Sequence, residues 1–454
     1  MRLRTREIAE ATGGRLVGPD VEVTGVAIDS RELGPGALFV PLEGDRDGHG
    51  FLADALAAGA AAHLARRGAA VPERPDAVAV IEVDETGQAL AAIGALARRH
   101  LGEAQVIGVT GSVGKTTTKD LLAGVLATTF ATSASVRSFN NELGVPLTLA
   151  NAPDGTEALV VEMGARGRGH IAELCALARP TVGVVTSVEE VHTELFGNID
   201  EVAVAKSELV ESLPSTGVAV LNVDNPLVAA MAERTSATVV RVALGSVAEA
   251  DVRPVDVWAE DIVVDAELRA SFRLCTRDGS CGVTLAVRGE HNVVNALLAS
   301  ATGVALGVGL EAVAEGLGRA EMSPWRMELS TTVTGARVLN DAYNAGPAST
   351  AAALRALASI PAARRVAVLG VMAELGQGHG SAHREIAALA DEHGIEVIAV
   401  AAPDYGPDVV HVDSVDAALA ALRHDGELGP DDAVLVKASR VAGLEHLAAA
   451  LLAP

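Results

Sequence analysis

The chain has 454 residues, too many for one hydrophobic core, so its length predicts two to three domains. Apolar residues make up 49% and aromatic residues only 2%, which excludes wholesale disorder and favours α/β layers over an aromatic-rich sandwich. A net charge of −24 argues against a general nucleic-acid binder, which needs a basic surface, but not against an anionic small molecule held by local donors.

The cysteines and the N-terminal stretch indicate a reducing location. Cys175, Cys275 and Cys281 are scattered and odd in number, so neither a zinc site nor a disulfide framework is predicted. The start, MRLRTREIAEATGG, lacks the apolar core of a signal peptide, and no run of ~18 apolar residues could span a membrane. We therefore expect a cytoplasmic protein without membrane contact, and a monomer.

The predicted first unit covers residues 1–103. Its stretch VEVTGVAIDSRELGPGALFVPL alternates apolar and polar residues around a Gly-Pro-Gly turn, which predicts strands. The segment FLADALAAGAAAHLARR then has helical spacing. This pattern predicts a small α/β unit without a phosphate-binding loop.

The predicted second and third units cover residues 104–318 and 319–454. In the second, the β-rich runs EALVVEMGA, TVGVVTSV and GVAVLNVD alternate with helical stretches, which is typical of a parallel, doubly wound sheet. Residues 248–288 alternate more like antiparallel strands, and HNVVNALLASATGVALG closes the unit as a helix. The third unit repeats the β/α alternation through RRVAVLGVM, EVIAVAA and DAVLVKAS.

The stretch VIGVTGSVGKTTTKDLL has the elements of a phosphate-binding loop. Such a loop needs inward N–H groups, a helix N-terminus and a mobile cation. Gly111 and Gly114 permit a tight backbone path, while Lys115 supplies the cation and Thr116 a hydroxyl for magnesium. The standard pattern has a further glycine where this chain has Val109. A chance glycine turn is the alternative, and the flanking strand and helix argue against it.

A series of further motifs carries a family resemblance. In chain order they are DSRELGPGALFVPLEGDRDGHGF, TGSVGKTT, SFNNELGVPLTL, VVEMGA, HTELFG, AKSELVE, GEHNVVNALLA, WRME, NDAYNA, LGVMAELG and KASR. Together they cover nearly the whole chain and resemble the Mur ligase family, whose loop has this shorter form. The resemblance implies a three-domain α/β architecture with a central P-loop-type parallel sheet and a Rossmann-like C-terminal domain. It assigns UDP-substrate binding, ATP binding and amine binding to the three units in turn.

The resemblance also implies an activity: ATP-dependent joining of a carboxylate to an amine through an acyl phosphate, forming ADP. Two Mg²⁺ ions are expected as cofactors. The motif order is that of family members that add D-alanyl-D-alanine to a UDP-N-acetylmuramoyl tripeptide in peptidoglycan synthesis. The implied partners are thus a UDP-linked muramoyl peptide and an amine dipeptide, with no nucleic acid.

The resemblance assigns catalytic and metal-binding roles to a few residues. Lys115 neutralises the phosphates, while Thr116 and Glu162 hold a magnesium ion; Glu162 ends a β-rich run, at the sheet edge where open α/β sheets bind ligands. His192 matches a histidine near the second magnesium. Lys206 matches a lysine carried as a carbamate, which needs a neutral amine. The alternative for Glu162 is an ordinary acid at the end of a strand. For His192 it is a structural histidine, and for Lys206 it is a surface lysine.

Further contacts are implied across the units. Asn295 matches an adenine contact, Arg326 a phosphate contact and Asp341 a ribose contact, with the last two reaching across from the third unit. The implied nucleotide-binding set is Gly111, Ser112, Gly114, Lys115, Thr116, Thr117, Asn295, Arg326, Asp341 and Tyr343. The implied substrate-binding set is Ser30, Arg31, Asn140, Asn141 and Asn344, although Asn140 and Asn141 could cap helices and the first two could be turn residues.

Some positions depart from the family pattern. Gly346 stands where a second Asn is usual, Val371 where an acid is common, and Ala438 where Gly is usual. These changes lie in the unit that receives the amine, so they leave the identity of the amine open. A related ligase recruited to another amine and carboxylate is one alternative. A nucleotide-binding regulator without chemistry is another, which the retained Glu162, His192, Lys206, Arg326 and Asp341 argue against.

Overall fold

Consecutive α/β units follow one another along the chain, each built around its own sheet. The predicted fold class is therefore confirmed. The computed structural model describes all residues except 45, 71, 74, 190–195, 246–253, 424–425 and 454. Within this described part, no helix combines the length and the apolar character needed to cross a bilayer.

The N-terminal unit consists of β1 (Leu3–Arg4), α1 (Thr5–Thr12), β2 (Arg15–Val17), β3 (Glu22–Val23), β4 (Val26–Ala27), β5 (Leu38–Phe39), α2 (Leu52–Ala57), β6 (Ala62–Arg66), β7 (Ala79–Val83) and α3 (Thr86–His100). Its sheet has the order β2-β7-β6-β5-β4, in which β2 runs antiparallel to β7 and the other pairs are parallel. A separate antiparallel ribbon joins β1 and β3. Helix α3 begins where the Glu85 carboxylate accepts hydrogen bonds from the N–H groups of Gly87 and Gln88.

The middle unit consists of β8 (Gln105–Thr110), α4 (Lys115–Ala127), β9 (Thr132–Ala134), α5 (Gly144–Asn151), β10 (Ala158–Glu162), α6 (His170–Ala178), β11 (Val182–Val185), α7 (Ile199–Glu211), β12 (Val218–Asn222), α8 (Pro226–Ala230), β13 (Thr238–Ala243), β14 (Val257–Val264), β15 (Arg269–Thr276), β16 (Gly279–Arg288), α9 (Asn292–Ala305) and α10 (Leu310–Arg319). Its sheet order is β16-β15-β14-β13-β12-β11-β8-β10-β9. Neighbours from β9 to β14 are parallel, and β10 is buried along its whole length, as a parallel strand covered by helices should be.

The antiparallel prediction for residues 248–288 is confirmed where the structure describes it. Strands β14, β15 and β16 pair antiparallel over residues 257–288. Residues 248–253 lie outside the described part. The helix predicted over HNVVNALLASATGVALG is α9, but it does not close the unit, because α10 follows it.

The C-terminal unit consists of β17 (Glu328–Thr331), β18 (Arg337–Asn340), α11 (Pro347–Ser359), β19 (Arg364–Leu369), α12 (His379–Glu392), β20 (Glu396–Val400), β21 (Val410–Val412), α13 (Val415–Leu422), β22 (Asp432–Lys437) and α14 (Glu445–Leu452). Its sheet order is β17-β18-β22-β19-β20-β21. Strand β17 is antiparallel to β18 and the remaining pairs are parallel. The short linker between α10 and β17, residues 320–327, joins this unit to the middle one.

The helix behind the loop is held rigidly. Helix α4 packs with α9 and α10 over one apolar core. A methyl group on Gly124 would lie 2.8 Å from the Gly316 carbonyl oxygen, so the backbones of α4 and α10 touch at this point. The adjacent strands β8, β10 and β11 end at the same edge of the sheet as α4 begins.

Candidate nucleotide and metal site

The predicted phosphate-binding loop joins β8 to α4. Val109 lies inside β8, fully buried and paired with Glu162 on one side and Val184 on the other. The loop therefore starts only after Thr110, and no glycine is needed at position 109. The first N–H groups of α4 lack partners within the helix, which makes this end a natural anion site.

Both loop glycines are required by their surroundings. Gly111 has φ +144°, and a methyl group there would lie 2.0 Å from Thr186 Oγ1. Gly114 has φ +85°, and its methyl group would lie 2.4 Å from Asn295 Oδ1. Ser112 N donates to the Ser187 carbonyl oxygen at 2.8 Å. The loop is thus held against the segment after β11 on one side and α9 on the other.

Lys115 folds back over the loop. Its Nζ donates to the carbonyl oxygens of Gly111 at 2.8 Å and Ser112 at 3.1 Å. Burial lowers the pKa of Lys115, the charge of Glu162 opposes this shift and the charge of Arg326 adds to it. An anion at the loop would restore favourable surroundings for the ammonium group, so the site is electrostatically prepared for phosphate.

Glu162 is a buried carboxylate at the end of β10. Thr116 Oγ1 donates to its Oε2 at 2.8 Å, and Asn140 Nδ2 donates to its Oε1 at 2.8 Å. Its own N–H donates to Ser135 Oγ at 3.1 Å. Only 1% of Glu162 is exposed, so these donors offset the cost of burying its charge.

The Thr116 and Glu162 oxygens fit a magnesium ion. Magnesium prefers oxygen ligands and is often held by one or two protein groups plus phosphates and waters. Across the described residues, no group of three or more His, Cys, Asp and Glu side chains could hold a metal by itself. A hydroxyl and a carboxylate beside the predicted phosphate-binding loop would be the protein ligands of an ion that binds together with phosphate.

Arg326 reaches this pair from the linker before the third unit. Its Nη2 donates to Thr116 Oγ1 at 2.8 Å, and its guanidinium lies 4.2 Å from the ring centre of Tyr343. The Tyr343 hydroxyl in turn contacts the Ser138 hydroxyl of the middle unit. Arg326 Nε is buried and has no hydrogen-bond partner among the described residues. A buried, unpaired guanidinium donor at a phosphate-binding loop fits a phosphate oxygen.

Lys206 is buried on α7. Burial and the nearby charge of Lys115 lower its pKa to about 7, while Glu208 opposes the shift. Within the described part of the chain, no hydrogen bond or ion pair to its ammonium group is present. The side chain is therefore an amine that is partly neutral at neutral pH, and it is not a surface lysine. His192 lies outside the described residues.

Other side chains that were predicted to contact ligands form hydrogen bonds within the protein. Asn295 Nδ2 donates to Asn292 Oδ1 at 2.8 Å, and its Oδ1 accepts from Thr118 Oγ1 at 3.2 Å, below the loop. Asn141 Oδ1 accepts from the N–H of Gly144, the first residue of α5, at 2.9 Å. Asn140, its neighbour, is the one that contacts Glu162.

The remaining predicted residues lie in the N-terminal unit, in the third unit and in the first turn of α4. Ser30 and Arg31 lie in a turn of the N-terminal unit. There the Arg31 side chain and N–H hold the pKa of Asp29 down to about 2. In the third unit both Asp341 oxygens accept hydrogen bonds, and the Asn344 carbonyl oxygen accepts from Lys437 at 2.8 Å. Thr117 is buried in the first turn of α4.

Two serines that the sequence reasoning did not select belong to the site. Ser135 positions the backbone of Glu162, and Ser138 contacts Tyr343 from the opposite unit. No local signal identifies them, because serines are common in turns. Their position on the segment that also carries Asn140 was the available clue.

The fold and this loop define a class: multi-unit α/β proteins that bind nucleotide at a P-loop-type sheet edge. Sequence profiles described as Mur ligase family catalytic domain, Mur ligase middle domain and Mur ligase glutamate ligase domain match residues 22–98, 109–303 and 325–440. The chain belongs to the Mur ligase family. The predicted family is therefore confirmed.

Individual relatives match over nearly the full length. The chain is 41% identical to the UDP-N-acetylmuramoyl-tripeptide--D-alanyl-D-alanine ligase of Mycobacterium tuberculosis, covering 100% of this chain and 98% of the relative. It is 35% identical to the Bacillus subtilis ligase of that name, covering 97% and 96%. A crystal structure of MurF from Acinetobacter baumannii superposes with a TM-score of 0.85 at 29% identity, covering 100% and 99%. MurF ligase from Thermotoga maritima in complex with ADP superposes with a TM-score of 0.78 at 27% identity, covering 94% and 96%.

We expect Gly114→Ala to weaken nucleotide binding by about tenfold or more, because a positive φ and a clash together cost about 1–3 kcal/mol. Calorimetric titration with ADP measures the affinity. Gly155→Ala is the matched control, since Gly155 has φ +79° but nothing within 4 Å of the added methyl group. Wild-type ADP affinity in Gly114→Ala would show that the loop does not receive phosphate.

Proposed function

We propose that this chain is an ATP-dependent carboxylate–amine ligase that adds D-alanyl-D-alanine to a UDP-N-acetylmuramoyl tripeptide in peptidoglycan precursor synthesis. One observation carries the proposal: the Thr116 hydroxyl joins Glu162 of the middle unit to Arg326 from the linker at the end of a phosphate-binding loop. Full-length similarity to ligases of that name supports it. Mere nucleotide binding does not require a buried carboxylate and an arginine from another part of the chain.

The first half of the proposed reaction is a phosphoryl transfer. An oxygen of the substrate carboxylate attacks the γ-phosphorus of ATP, the bond to ADP breaks, and an acyl phosphate forms. We assign the neutralisation of the charge that develops on the transferring group to Lys115 and Arg326, because both cationic side chains contact the loop or the start of α4. Thr116 and Glu162 are the residues that would hold Mg²⁺, which when bound would supply positive charge to the phosphates.

The second half joins the amine. The amine nitrogen attacks the acyl carbon, phosphate leaves, and an amide bond forms. We assign the amine site to the third unit, at the carboxyl edge of its sheet, where open α/β sheets bind ligands. The loops after β18, β19 and β22 meet there: Ser439 N donates to the Val371 carbonyl oxygen, and Ser439 Oγ accepts from Ala373 N at 2.9 Å and donates to the Ala345 carbonyl oxygen at 3.2 Å.

The departures from the family pattern are accommodated locally. A methyl group on Gly370 would lie 2.7 Å from the Ala438 methyl group, so Ala438 packs where Gly370 leaves space. Gly346 begins α11 in extended conformation. Val371 removes a possible partner for an ammonium group. The same fold could therefore serve a different amine, which is the alternative function that an amine screen tests.

Lys206 is assigned to a second metal site as a carbamate. A carbamate forms from a neutral amine and carbon dioxide and presents oxygen ligands to a metal. The lowered pKa and the buried position of Lys206 support this assignment. His192 is assigned to the same site on the family resemblance alone.

Lys115→Ala is expected to lower ATP-dependent phosphate release by at least about 10²-fold, since one charged donor to the transferring group is lost. Circular dichroism and thermal unfolding would show that the fold is kept. Arg319→Ala, which removes an exposed cation paired with Glu315, is the control and should retain activity. Near-normal turnover in Lys115→Ala would contradict the role of the loop.

An amine screen tests the substrate assignment. With UDP-N-acetylmuramoyl tripeptide and ATP, D-alanyl-D-alanine should give a product heavier by the dipeptide minus water, and single amino acids should not. Mass spectrometry of the product provides the measurement. Reaction with another amine but not with D-alanyl-D-alanine would favour the recruited ligase.

A carbamate at Lys206 should appear as a carbonyl signal in the ¹³C NMR spectrum of protein equilibrated with ¹³C-bicarbonate. The chain has four lysines, at 115, 119, 206 and 437, so the background is small. The signal should be lost in Lys206→Gln and kept in Lys119→Gln. A spectrum that is unchanged by Lys206→Gln would refute the carbamate and leave the phosphate-binding loop unaffected.

A further inference from the structure

Lysine is scarce in this chain, and each lysine lies either in the site described above or in a buried ion pair. The sequence contains four lysines and 31 arginines. Lys115 and Lys206 belong to the site already described. The other two, Lys119 and Lys437, each form an ion pair with a carboxylate, and both ammonium groups are buried. Both pairs contact the linker that carries Arg326.

The first pair holds the start of the linker to the middle unit. Lys119 Nζ lies 2.6 Å from Asp120 Oδ1, and these side chains are 3% and 7% exposed. The other Asp120 oxygen accepts a hydrogen bond from the N–H of Ser323 at 2.8 Å. Lys119 also donates to the Ser135 carbonyl oxygen at 2.8 Å, next to the backbone of Glu162. Helix α4 thus holds the linker at Ser323, three residues before Arg326.

The second pair holds the end of the linker to the third unit. Lys437 Nζ pairs with Asp341 Oδ2 and also donates to the Asn344 carbonyl oxygen at 2.8 Å. Asp341 Oδ1 accepts from the N–H of Met327 at 3.2 Å. Strand β22 and the loop after β18 thus hold the linker at Met327, one residue after Arg326.

The backbone between these two points is strained. Trp325 has φ +61° and Met327 has φ +52°, in the left-handed region that bulky residues rarely adopt. Such conformations persist only where the surroundings impose them. Arg440 stacks 4.4 Å from the ring centre of Trp325, and Tyr343 N donates to the Trp325 carbonyl oxygen at 3.2 Å. Arg326 stands between the two strained residues and reaches Thr116.

We propose that the pairs Lys119–Asp120 and Lys437–Asp341 are positioning residues that fix residues 323–327 so that Arg326 reaches the phosphate-binding loop. A charged acceptor makes a stronger and more directional bond to a backbone N–H than a neutral one. A buried carboxylate is stable in that role only with a paired cation, which each lysine supplies. The catalytic consequence rests on the proposed function, through the role given to Arg326.

The linker can be observed directly, because the chain has only two tryptophans, Trp258 and Trp325. In a Trp258→Phe background the tryptophan emission comes from Trp325 alone. Asp120→Ala should raise the acrylamide quenching constant of Trp325 about twofold, because the released segment moves on the fast timescale of loops. Lys437→Met should act in the same direction. Unchanged quenching in both variants overturns the proposal, whether or not the protein is a ligase.

The matched control is Asp256→Ala. The Asp256 carboxylate also accepts a backbone N–H, from Arg241 at 2.8 Å, and pairs with Arg277 at 2.8 Å, but it lies between β13 and β14. Its loss should leave Trp325 quenching unchanged. Asp120→Asn keeps an oxygen acceptor for Ser323, so its Trp325 quenching constant should fall between those of wild type and Asp120→Ala. It replaces Asp120→Ala in the test if the alanine variant does not fold. Equal quenching changes in Asp256→Ala and Asp120→Ala would reduce the effect to general destabilisation and overturn the proposal.

A double-mutant cycle tests whether Asp120 acts through Arg326. Asp120→Ala should lower kcat for ATP-dependent phosphate release about tenfold or more, since small displacements of a positioned group are costly. In an Arg326→Ala background the same change should cause less than about a twofold further loss. Losses that multiply would overturn the positioning role. Wild-type protein without any ligase turnover would refute the proposed function instead, and the Trp325 measurement would still decide the linker contacts.

Discussion

The Thr116 hydroxyl is the point on which the site depends. It donates to the Glu162 carboxylate and accepts from the Arg326 guanidinium, so it stands between opposite charges from different parts of the chain. A buried carboxylate is tolerated only where donors surround it, and here those donors come from α4 and from the segment that carries Asn140. The site is therefore complete only when the linker before the third unit lies against the loop.

Arginine and lysine occupy different kinds of position in this fold, and their chemistry explains the difference. Arginine, with a charge that does not titrate, forms the many surface ion pairs of a chain with net charge −24. Three of the four lysines, Lys119, Lys206 and Lys437, are buried, where a compact cation or a neutral amine is useful. Lys206 shows the second use, since burial lowers its pKa to about 7. The pair Lys119–Asp120 shows the first, because a paired charge can hold a backbone N–H.

The sequence predicted those features that depend on local chemistry. The loop glycines, the cation after them and the strand-end carboxylate Glu162 follow from short-range rules, and the structure brings them together. It could not separate Asn140 from Asn141, because both are plausible caps and only the packing turns one toward Glu162. It did not reveal the Asp120–Ser323 bond, whose partners lie 203 residues apart. Such contacts depend on how the units dock.

Several side chains that the family resemblance assigns to ligand binding already form hydrogen bonds within the protein. Asn295 supports the loop from below, and Asp341 holds a linker N–H. Each of these polar groups is desolvated before any ligand arrives, so binding does not carry that cost again. A carboxylate or amide oxygen has a second lone pair that remains open to a ligand. The same atom can therefore hold the protein in shape and still contact a nucleotide, and its substitution would disturb both at once. Only a measurement of linker geometry apart from turnover, as Trp325 permits, can separate the two effects.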